Sequence, residues 1–503
     1  MHQQAPALGA GGRLPFVTRV LYGAGSMANG ASLTVGGLLL LYYNQVVGLS
    51  AQLASLALAI CVLVDAFWDP LVGQVSDNLR SRWGRRHPLM YLSAAPVGAS
   101  YVLLFSPPHG LSQGQLFGYL LATAPAVRLS MSLYDVPSGA LAPELAPDYH
   151  DRTALLGYRW LLGTVGGAIA AVLAYGVFLH RTAAYPLGQL NPAGYPPLAL
   201  SVAALMAASI VVSSLGTHGR IAQLHRPAAR RVGLASSLRE MIATLGNRNF
   251  VVAVVAGVIA AVSGSLSGGL AVYFGTYFWR LPASNILVLV LTGLVSTPIA
   301  VALGPFLSRL WGKRNACMTL FFVGVVTANA PIVLRLIGFF PANGSPWLLP
   351  LLTLNSVLTG VLGTGGFILV TSMIADIVEE QQVRTGRRSE GLLFAADGLL
   401  NKIVSGFGAI LPGLLLAFVG FPARAHLASL DPAIMTRLAV IVVPITTGLS
   451  SLSIYCWRFY RIDAASHARD LDAIARAADA MAEAAPQDAV AGAPRIGRWT
   501  AGG

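Results

Sequence analysis

Charged residues are scarce in this chain: they make up 11% of its 503 residues, whereas hydrophobic residues make up 55% and the mean hydropathy is +0.66. An ordinary soluble protein is about 25% charged, so a soluble fold is excluded and a multi-span membrane protein is predicted. We expect it to be helical. The apolar runs are long and continuous, whereas a strand of a membrane barrel shows only about ten residues of alternating character.

Cysteine is equally scarce. Cys61, Cys317 and Cys456 lie in separate apolar segments, and their spacing matches neither a disulfide framework nor a metal-ligand motif. The chain also lacks the His-Glu-x-x-His and Gly-x-Ser-x-Gly motifs, a ring of like residues that would line a pore, and a removable signal peptide in residues 1–14. We therefore expect neither an enzyme nor a channel, and no resident metal or cofactor.

Apolar runs long enough to span a bilayer, at about 20 residues each, recur along the whole chain. The twelve runs fall near 17–46, 51–76, 88–107, 113–142, 154–180, 197–216, 249–279, 285–309, 314–338, 347–378, 391–418 and 434–461. Segment 304–314 echoes segment 73–86, at the place where an eighth helix would repeat a second one. We predict an all-α membrane protein of twelve transmembrane helices in two six-helix halves.

The basic residues gather in the short loops that follow the even-numbered runs. Loops rich in Lys and Arg stay in the cytoplasm, so the net charge of +13 indicates membrane orientation, and we expect no nucleic-acid partner. The predicted division is a cytoplasmic N-terminus at 1–16, a first bundle at 17–216, a cytoplasmic linker at 217–248, a second bundle at 249–461, and a cytoplasmic, partly disordered tail at 462–503.

Two carboxylates, Asp65 and Asp69, lie inside the second apolar run. A carboxylate at the bilayer centre costs roughly 2.5 to 3.5 kcal/mol even on a lenient insertion scale, so both must face protein, water or an ion. Four residues apart on a helix, they share one face at a separation of about 6 Å and can hold one cation or one proton between them. The alternative is a helix end at which both carboxylates reach the membrane interface.

The motif Asp-x-x-x-Asp-Pro-x-x-Gly at 65–73, followed by the arginine-rich loop 80–88, resembles the second helix and following loop of the glycoside–pentoside–hexuronide:cation symporters. These form the melibiose-permease-like branch of the major facilitator superfamily. The resemblance implies the major facilitator fold, and Na⁺, Li⁺ or H⁺ as the coupling cation. It also implies that Asp65 and Asp69 bind that cation, with help from the hydroxyl of Ser132.

The resemblance extends to the expected substrate site. Asp135 lies in a helix 4 Asp-x-Pro motif, Arg159 matches a helix 5 arginine, and Lys402 matches a helix 11 lysine near acidic residues of the first half. A lone intramembrane lysine needs a carboxylate partner, so we expect Lys402 to meet Asp65, Asp69 and Asp135. A local pair with Asp397, five residues away on the helix and about 140° around it, is the poorer alternative.

Three further points complete the predicted cavity. Arg128 lies seven residues before Asp135 and therefore shares its helix face. Asn29 occupies the aligned position of a helix 1 Lys-Asp pair in melibiose permease, so it is also assigned to the substrate. For Arg159, the alternative to substrate contact is that its long side chain snorkels to the cytoplasmic interface.

Charged residues at the cytoplasmic ends of the helices form a predicted inner gate, as is common in this superfamily. The gate residues are Asp77, Arg85, Arg86, Asp376 and Arg387. The alternative is a solvated cytoplasmic face, on which exposed pairs contribute only about 0 to 1 kcal/mol.

The departures from melibiose permease concern the substrate. Gly30 and Gly139 stand where that permease has a carboxylate and an aromatic ring that hold the galactosyl group, and Trp68 stands where it has an amide beside the second aspartate. We predict a cation-coupled (Na⁺ or H⁺) symporter that imports a small organic solute, a sugar or glycoside, by alternating access. A symporter of lysophospholipids or other amphiphiles is the alternative. We expect a monomer in the bacterial-type cytoplasmic (inner) membrane.

Overall fold

The computed structural model describes residues 14–146, 148–221, 247–385, 390–425 and 430–463, and a few positions of the tail. The described chain is helical. Its helices, each with the short π or 3₁₀ turns that continue it, are α1 (Phe16–Ala24, Ser26–Gly36, Leu39–Leu41 and Tyr42–Val47), α2 (Ala51–Asn78), α3 (His87–Leu104), α4 (Gln113–Leu145), α5 (Tyr149–Ala171 and Val172–Phe178), α6 (Tyr195–His218), α7 (Arg248–Tyr273 and Phe274–Phe278), α8 (Ala283–Leu291 and Gly293–Trp311), α9 (Lys313–Leu336), α10 (Leu348–Thr385), α11 (Glu390–Gly408 and Leu411–Phe418) and α12 (Pro432–Cys456).

Within the described residues, ten helices are long and apolar enough to cross a membrane, and the bent α1 raises the number to eleven. The described residues thus form twelve helices, of which up to eleven qualify as membrane spans by length and composition, so the predicted count of twelve spans is not exact. The difference is α3, which lies at the third predicted span but has 18 residues that include His87, Ser93 and Ser100. Because this helix is short, further apolar residues do not outweigh its polar side chains, and the protein buries all three of them.

Prolines are common inside these helices, as in α2 at Pro70 and in α4 at Pro125, Pro137 and Pro143. Neighbouring helices and hydroxyl side chains satisfy the freed carbonyl groups in a membrane, so such prolines do not end a helix. The result is a continuous α4 of 33 residues, which begins at a capping box formed by Ser112 and Gln115. Its length carries one helix face from one end of the bundle to the other.

Helices α1 and α5 approach each other through small residues. A Cβ atom added at Gly30 would lie 1.8 Å from the carbonyl oxygen of Gly163, and one added at Gly166 would lie 2.3 Å from that of Met27. Glycine is required at both positions because any side chain would push the two backbones apart. This close packing sets Asn29 of α1 and Arg159 of α5 on neighbouring faces.

Buried amide and phenol groups join the two halves where α1 and α7 end. Tyr273 donates to the side chain of Asn44 at 2.9 Å, and Tyr277 donates to that of Gln45 at 2.9 Å. The Gln45 amide also donates to the carbonyl of Pro422 at 3.0 Å. This polar joint lies at the opposite end of the bundle from the arginine-rich loop that follows α2.

The connections after α2 and α8 share one backbone feature at matching positions of the internal repeat. Each places a glycine with positive φ after a tryptophan: φ is 75° at Gly84 and 76° at Gly312. Glycine adopts this left-handed region at no steric cost, so the chain can turn sharply before the basic residues that follow. Those residues are Arg85 in the first half and Lys313 in the second.

The predicted linker 217–248 starts within α6 and reaches the first residue of α7, and 222–246 lie outside the described residues, as does most of the predicted tail.

Candidate functional site

The two aspartates of α2 share the same two partners. Ser132 Oγ of α4 donates to Asp65 Oδ1 at 3.1 Å and to Asp69 Oδ1 at 2.5 Å. Lys402 Nζ of α11 donates to Asp65 Oδ2 at 2.9 Å and also to Asp69 Oδ2. Each carboxylate therefore has one oxygen on a hydroxyl of its own half and the other on an ammonium group of the opposite half. We call Asp65, Asp69, Ser132 and Lys402 the Lys402 cluster.

The cluster lies inside the protein. The Asp65 side chain is 5% exposed, that of Asp69 is 28% exposed, and that of Lys402 is 38% exposed. Asp65 is thus shielded from lipid and solvent, which disfavours the alternative in which both carboxylates reach the membrane interface. Lys402 contacts the first half, while the side chain of Asp397, its alternative partner, lies outside the described residues.

Arg128 approaches the same cluster from α4. Its Nη1 lies 3.8 Å from Asp65 Oδ2, and half of its side chain is exposed. Directly beside it, the indole nitrogen of Trp68 donates to the carbonyl of Leu129 at 3.3 Å, which fixes α2 against α4 at this level. The structure therefore places Arg128 beside Asp65.

Asp135 forms a second cluster on the same face of α4. Its Oδ1 accepts from Arg159 Nη2 at 3.2 Å, and its Oδ2 accepts from Asn29 Nδ2 at 3.1 Å. Arg159 also donates to the hydroxyl of Tyr22 at 3.3 Å, and Tyr22 in turn donates to the carbonyl of Ser138 at 2.8 Å. We call Asn29, Asp135, Arg159 and Tyr22 the Asp135 cluster.

This geometry decides the alternative left open for Arg159, and it corrects the expectation that Lys402 would meet Asp135. Arg159 points into the protein to bind Asp135, so it does not snorkel to the interface. Asp135 binds Asn29 of α1 and Arg159 of α5, whereas Lys402 binds Asp65 and Asp69. A Cβ atom at Gly139 would lie 3.4 Å from Arg159 Nη1, so the absence of a side chain there leaves room for the guanidinium group.

The predicted gate residues of the first half meet at a carboxylate that sequence reasoning missed. Glu144 Oε1, at the end of α4, accepts from Arg85 at 2.7 Å and from Arg86 at 2.6 Å. Arg86 also pairs with Asp77 at 3.2 Å. All four residues belong to the first half, so this network ties α2 and the loop after it to α4.

The second half repeats this arrangement. Asp376 of α10 accepts from Lys313 Nζ at 2.7 and 2.8 Å. Arg387, the predicted gate partner, lies outside the described residues. Lys313 follows Gly312 as Arg85 follows Gly84. The carboxylate partner of Lys313 lies in α10, which corresponds to α4 in the six-plus-six repeat, so the repeat is the signal that could have indicated Glu144 in α4. Tyr22 had no comparable signal in the sequence.

Comparisons with known proteins identify the family of the chain. The family described as MFS/sugar transport protein matches residues 21–464. The chain belongs to that family. The isoprimeverose transporter of Lactiplantibacillus pentosus is 27% identical over 458 residues, covering 90% of this chain and 89% of its own length. A glucuronide carrier protein homolog of Escherichia coli (strain K12) is 24% identical over 438 residues, covering 86% and 90%.

Solved structures share the fold as well. The crystal structure of the nucleoside transporter NupG matches with a TM-score of 0.58 at 14% identity and covers 89% of this chain and 98% of that one. The major facilitator fold and the resemblance to the glycoside–pentoside–hexuronide:cation symporters are thereby confirmed.

Proposed function

We propose that this chain is a cation-coupled symporter that imports a sugar or glycoside by alternating access. The observation that carries the proposal is the Lys402 cluster, in which carboxylates of the first half bind an ammonium group of the second half. This ion pair can form only when the two halves are in contact at the level of Asp65 and Asp69. Any ion that competes with Lys402 for Asp65 and Asp69 therefore acts on the contact between the halves.

The coupling step follows from that competition. In the low dielectric of the cluster, Asp65 and Asp69 need positive charge in every conformation. When Lys402 moves away with α11, Na⁺ or H⁺ takes its place on the oxygens of Asp65, Asp69 and Ser132. Cation binding therefore favours one conformation over the other by its differential affinity for the two.

The Asp135 cluster supplies the solute site in this proposal. It presents a carboxylate, a guanidinium group and an amide on one face, which together donate to and accept from sugar hydroxyls. Asp135 is 26% exposed and Arg159 is 21% exposed, so both retain accessible surface for a solute. Asp135 lies three residues after Ser132 on α4, hence solute and cation bind within one turn of a single helix.

We propose that the structure is the inward-facing state. Buried hydrogen bonds such as Tyr273 to Asn44 and Gln189 to Thr276 join the halves at the end opposite the basic loops. At the other end, and among the described residues, the Glu144–Arg85 and Asp376–Lys313 ion pairs each lie within one half. The basic loops and both termini then face the cytoplasm, in a bacterial-type inner membrane, and a single chain contains the complete pathway, as expected for a monomer.

The relatives favour a sugar over an amphiphile. The two compared above are named for isoprimeverose and for a glucuronide. The Asp135 cluster is charged and polar, and an acyl chain gains no favourable contact from such a surface. We therefore prefer the glycoside proposal to the lysophospholipid alternative.

Uptake into proteoliposomes tests the proposal. The purified chain is reconstituted, a Na⁺ or H⁺ gradient is imposed, and radiolabelled isoprimeverose, a glucuronide and melibiose are offered in turn. We expect one solute to be concentrated, and a matching ionophore to abolish its accumulation. Asp69→Asn should lose accumulation yet retain solute exchange, because it removes a coupling ligand and leaves the Asp135 cluster intact. Equal accumulation by Asp69→Asn and wild type would place the cation site elsewhere.

A further inference from the structure

Tyr22 of α1 is the buried member of the Asp135 cluster, whereas Asp135 and Arg159 keep accessible surface. Both ends of this tyrosine are fixed by other helices of the first half. Its hydroxyl donates to the carbonyl of Ser138 in α4 at 2.8 Å, and its backbone carbonyl accepts from Ser213 Oγ of α6 at 3.0 Å. Tyr22 is therefore a rigid support, and any effect it has on solute binding must pass through a neighbouring residue.

That neighbour is Arg159. The hydroxyl hydrogen of Tyr22 is used on Ser138, so its oxygen keeps a lone pair that accepts from Arg159 Nη1 at 3.3 Å. The other terminal nitrogen, Nη2, donates to Asp135 Oδ1 at 3.2 Å. The two terminal nitrogens of the guanidinium group therefore bind two different residues.

The carboxylate of Asp135 is divided in the same way. Its Oδ1 accepts from Arg159, and its Oδ2 accepts from Asn29 Nδ2 at 3.1 Å. An arginine beside a carboxylate commonly forms two parallel hydrogen bonds, which is the stronger arrangement. Here Tyr22 holds one nitrogen of the arginine and Asn29 holds one oxygen of the aspartate. Arg159 and Asp135 therefore share a single bond between their side chains.

We propose that Tyr22 is a positioning residue, which keeps the Arg159–Asp135 ion pair monodentate and thereby keeps both charged groups available to solute hydroxyls. This inference rests on the proposed solute site. Without the Tyr22 hydroxyl, Nη1 of Arg159 loses its acceptor and turns towards the Asp135 carboxylate. Solute binding must then first open a tighter ion pair.

The test measures solute exchange in proteoliposomes at equal cation concentrations on both sides. The probe is radiolabelled isoprimeverose, or whichever solute of the panel above the wild type accumulates. Tyr22→Phe removes only the hydroxyl, and we expect it to raise KM about tenfold, the equivalent of one hydrogen bond to a charged group. The maximal rate should change little, because Tyr22 binds neither the solute nor the cation. General damage would instead lower the maximal rate.

Tyr134→Phe is the matched control. It removes another buried phenol hydroxyl of the same region, which donates to Ser213 Oγ at 2.8 Å. Its KM should equal that of the wild type. A double-mutant cycle shows whether Tyr22 acts through Arg159. In an Arg159→Lys background, Tyr22→Phe should change KM by less than about twofold, because lysine has no fork to divide between two partners.

The outcomes separate this inference from the proposed symport. If Tyr134→Phe raises KM as much as Tyr22→Phe does, or if Tyr22→Phe has the same effect in both backgrounds, the inference is wrong and symport stands. Should Arg159→Lys not transport, the comparison with Tyr134→Phe decides. If the wild type transports no solute, the proposed symport fails. The cycle is then measured by unfolding in detergent, where additive effects of Tyr22→Phe and Arg159→Lys would overturn the inference and coupled effects would support it.

Discussion

Replacing Lys402 by alanine should destabilise the protein more than replacing it together with Asp69. The single change leaves Asp65 and Asp69 with only Arg128 at 3.8 Å, and the second carboxylate has no positive partner in the cluster. In the double variant Lys402→Ala with Asp69→Asn, the remaining charges are those of Asp65 and Arg128, which balance. The second mutation should therefore rescue part of the damage of the first.

The magnitude follows from the contact distances. For unit charges 2.9 Å apart, as between Lys402 Nζ and Asp65 Oδ2, Coulomb's law at an effective dielectric constant near 20 gives about 6 kcal/mol. Desolvation offsets much of this, and the Lys402 side chain is 38% exposed, so the loss should fall at or below the roughly 3 to 5 kcal/mol of a fully buried pair. We expect a cost of about 2 to 3 kcal/mol for Lys402→Ala, and recovery of about half in the double variant.

The assay is unfolding of the purified protein in detergent, monitored for wild type, both single variants and the double variant at low and high salt. Lys402→Met is the matched control, because it keeps the apolar length of the side chain and removes only the charge. It should behave as Lys402→Ala does. Additive effects of the two mutations, within about 0.5 kcal/mol, would show that Lys402 and Asp69 do not interact and would refute the reasoning.

The remaining predictions concern packing, topology and substrate. Gly30→Ala should destabilise the protein by roughly 1 to 3 kcal/mol and lower solute affinity. The added Cβ would lie 1.8 Å from the Gly163 carbonyl oxygen and would push α1 away from α5. Unchanged stability in an unfolding assay would contradict this packing. Reporter domains fused after Gly503 and inserted at Arg226 should both be cytoplasmic, since basic loops resist translocation, and an external signal at either would overturn the orientation. Melibiose should bind at least about tenfold more weakly than the accumulated solute, because Gly30 and Gly139 supply neither a carboxylate nor a stacking ring; competition by sub-millimolar melibiose in the uptake assay would count against this.

Much of the site could be predicted from the sequence because charge in a bilayer is costly. An intramembrane aspartate, arginine or lysine needs a charged partner, water or an ion beside it. The sequence therefore indicated Asp65, Asp69, Asp135, Arg159 and Lys402 as site residues. Spacing then supplied the local geometry: four residues between Asp65 and Asp69 fix a shared helix face before any tertiary contact is known. The structure brings these same groups into two clusters on α2 and α4.

Other features were not predicted from the sequence. Some are charges at helix ends, where a charged residue is common, and others are interactions in which one partner is uncharged. Glu144 lies at the end of α4, where a carboxylate is ordinary in sequence, yet two arginines bind it. The hydroxyl of Tyr22 is one of many in the chain. Likewise, the bend of α1 and the weak hydropathy of α3 made the count of spanning helices differ from the twelve apolar runs.

The sequence by itself determined the class of protein, the helices and the residues that must be paired, since the bilayer imposes long apolar runs and penalises every unpaired charge. Only the tertiary structure decided which charges pair. Lys402 is 337 residues from Asp65, and no local rule states that it binds Asp65 and Asp69 while Asp135 goes to Arg159 and Asn29. That choice depends on the angle and distance between helices, which the glycines of α1 and α5 and the packing of α2 against α4 and α11 set together.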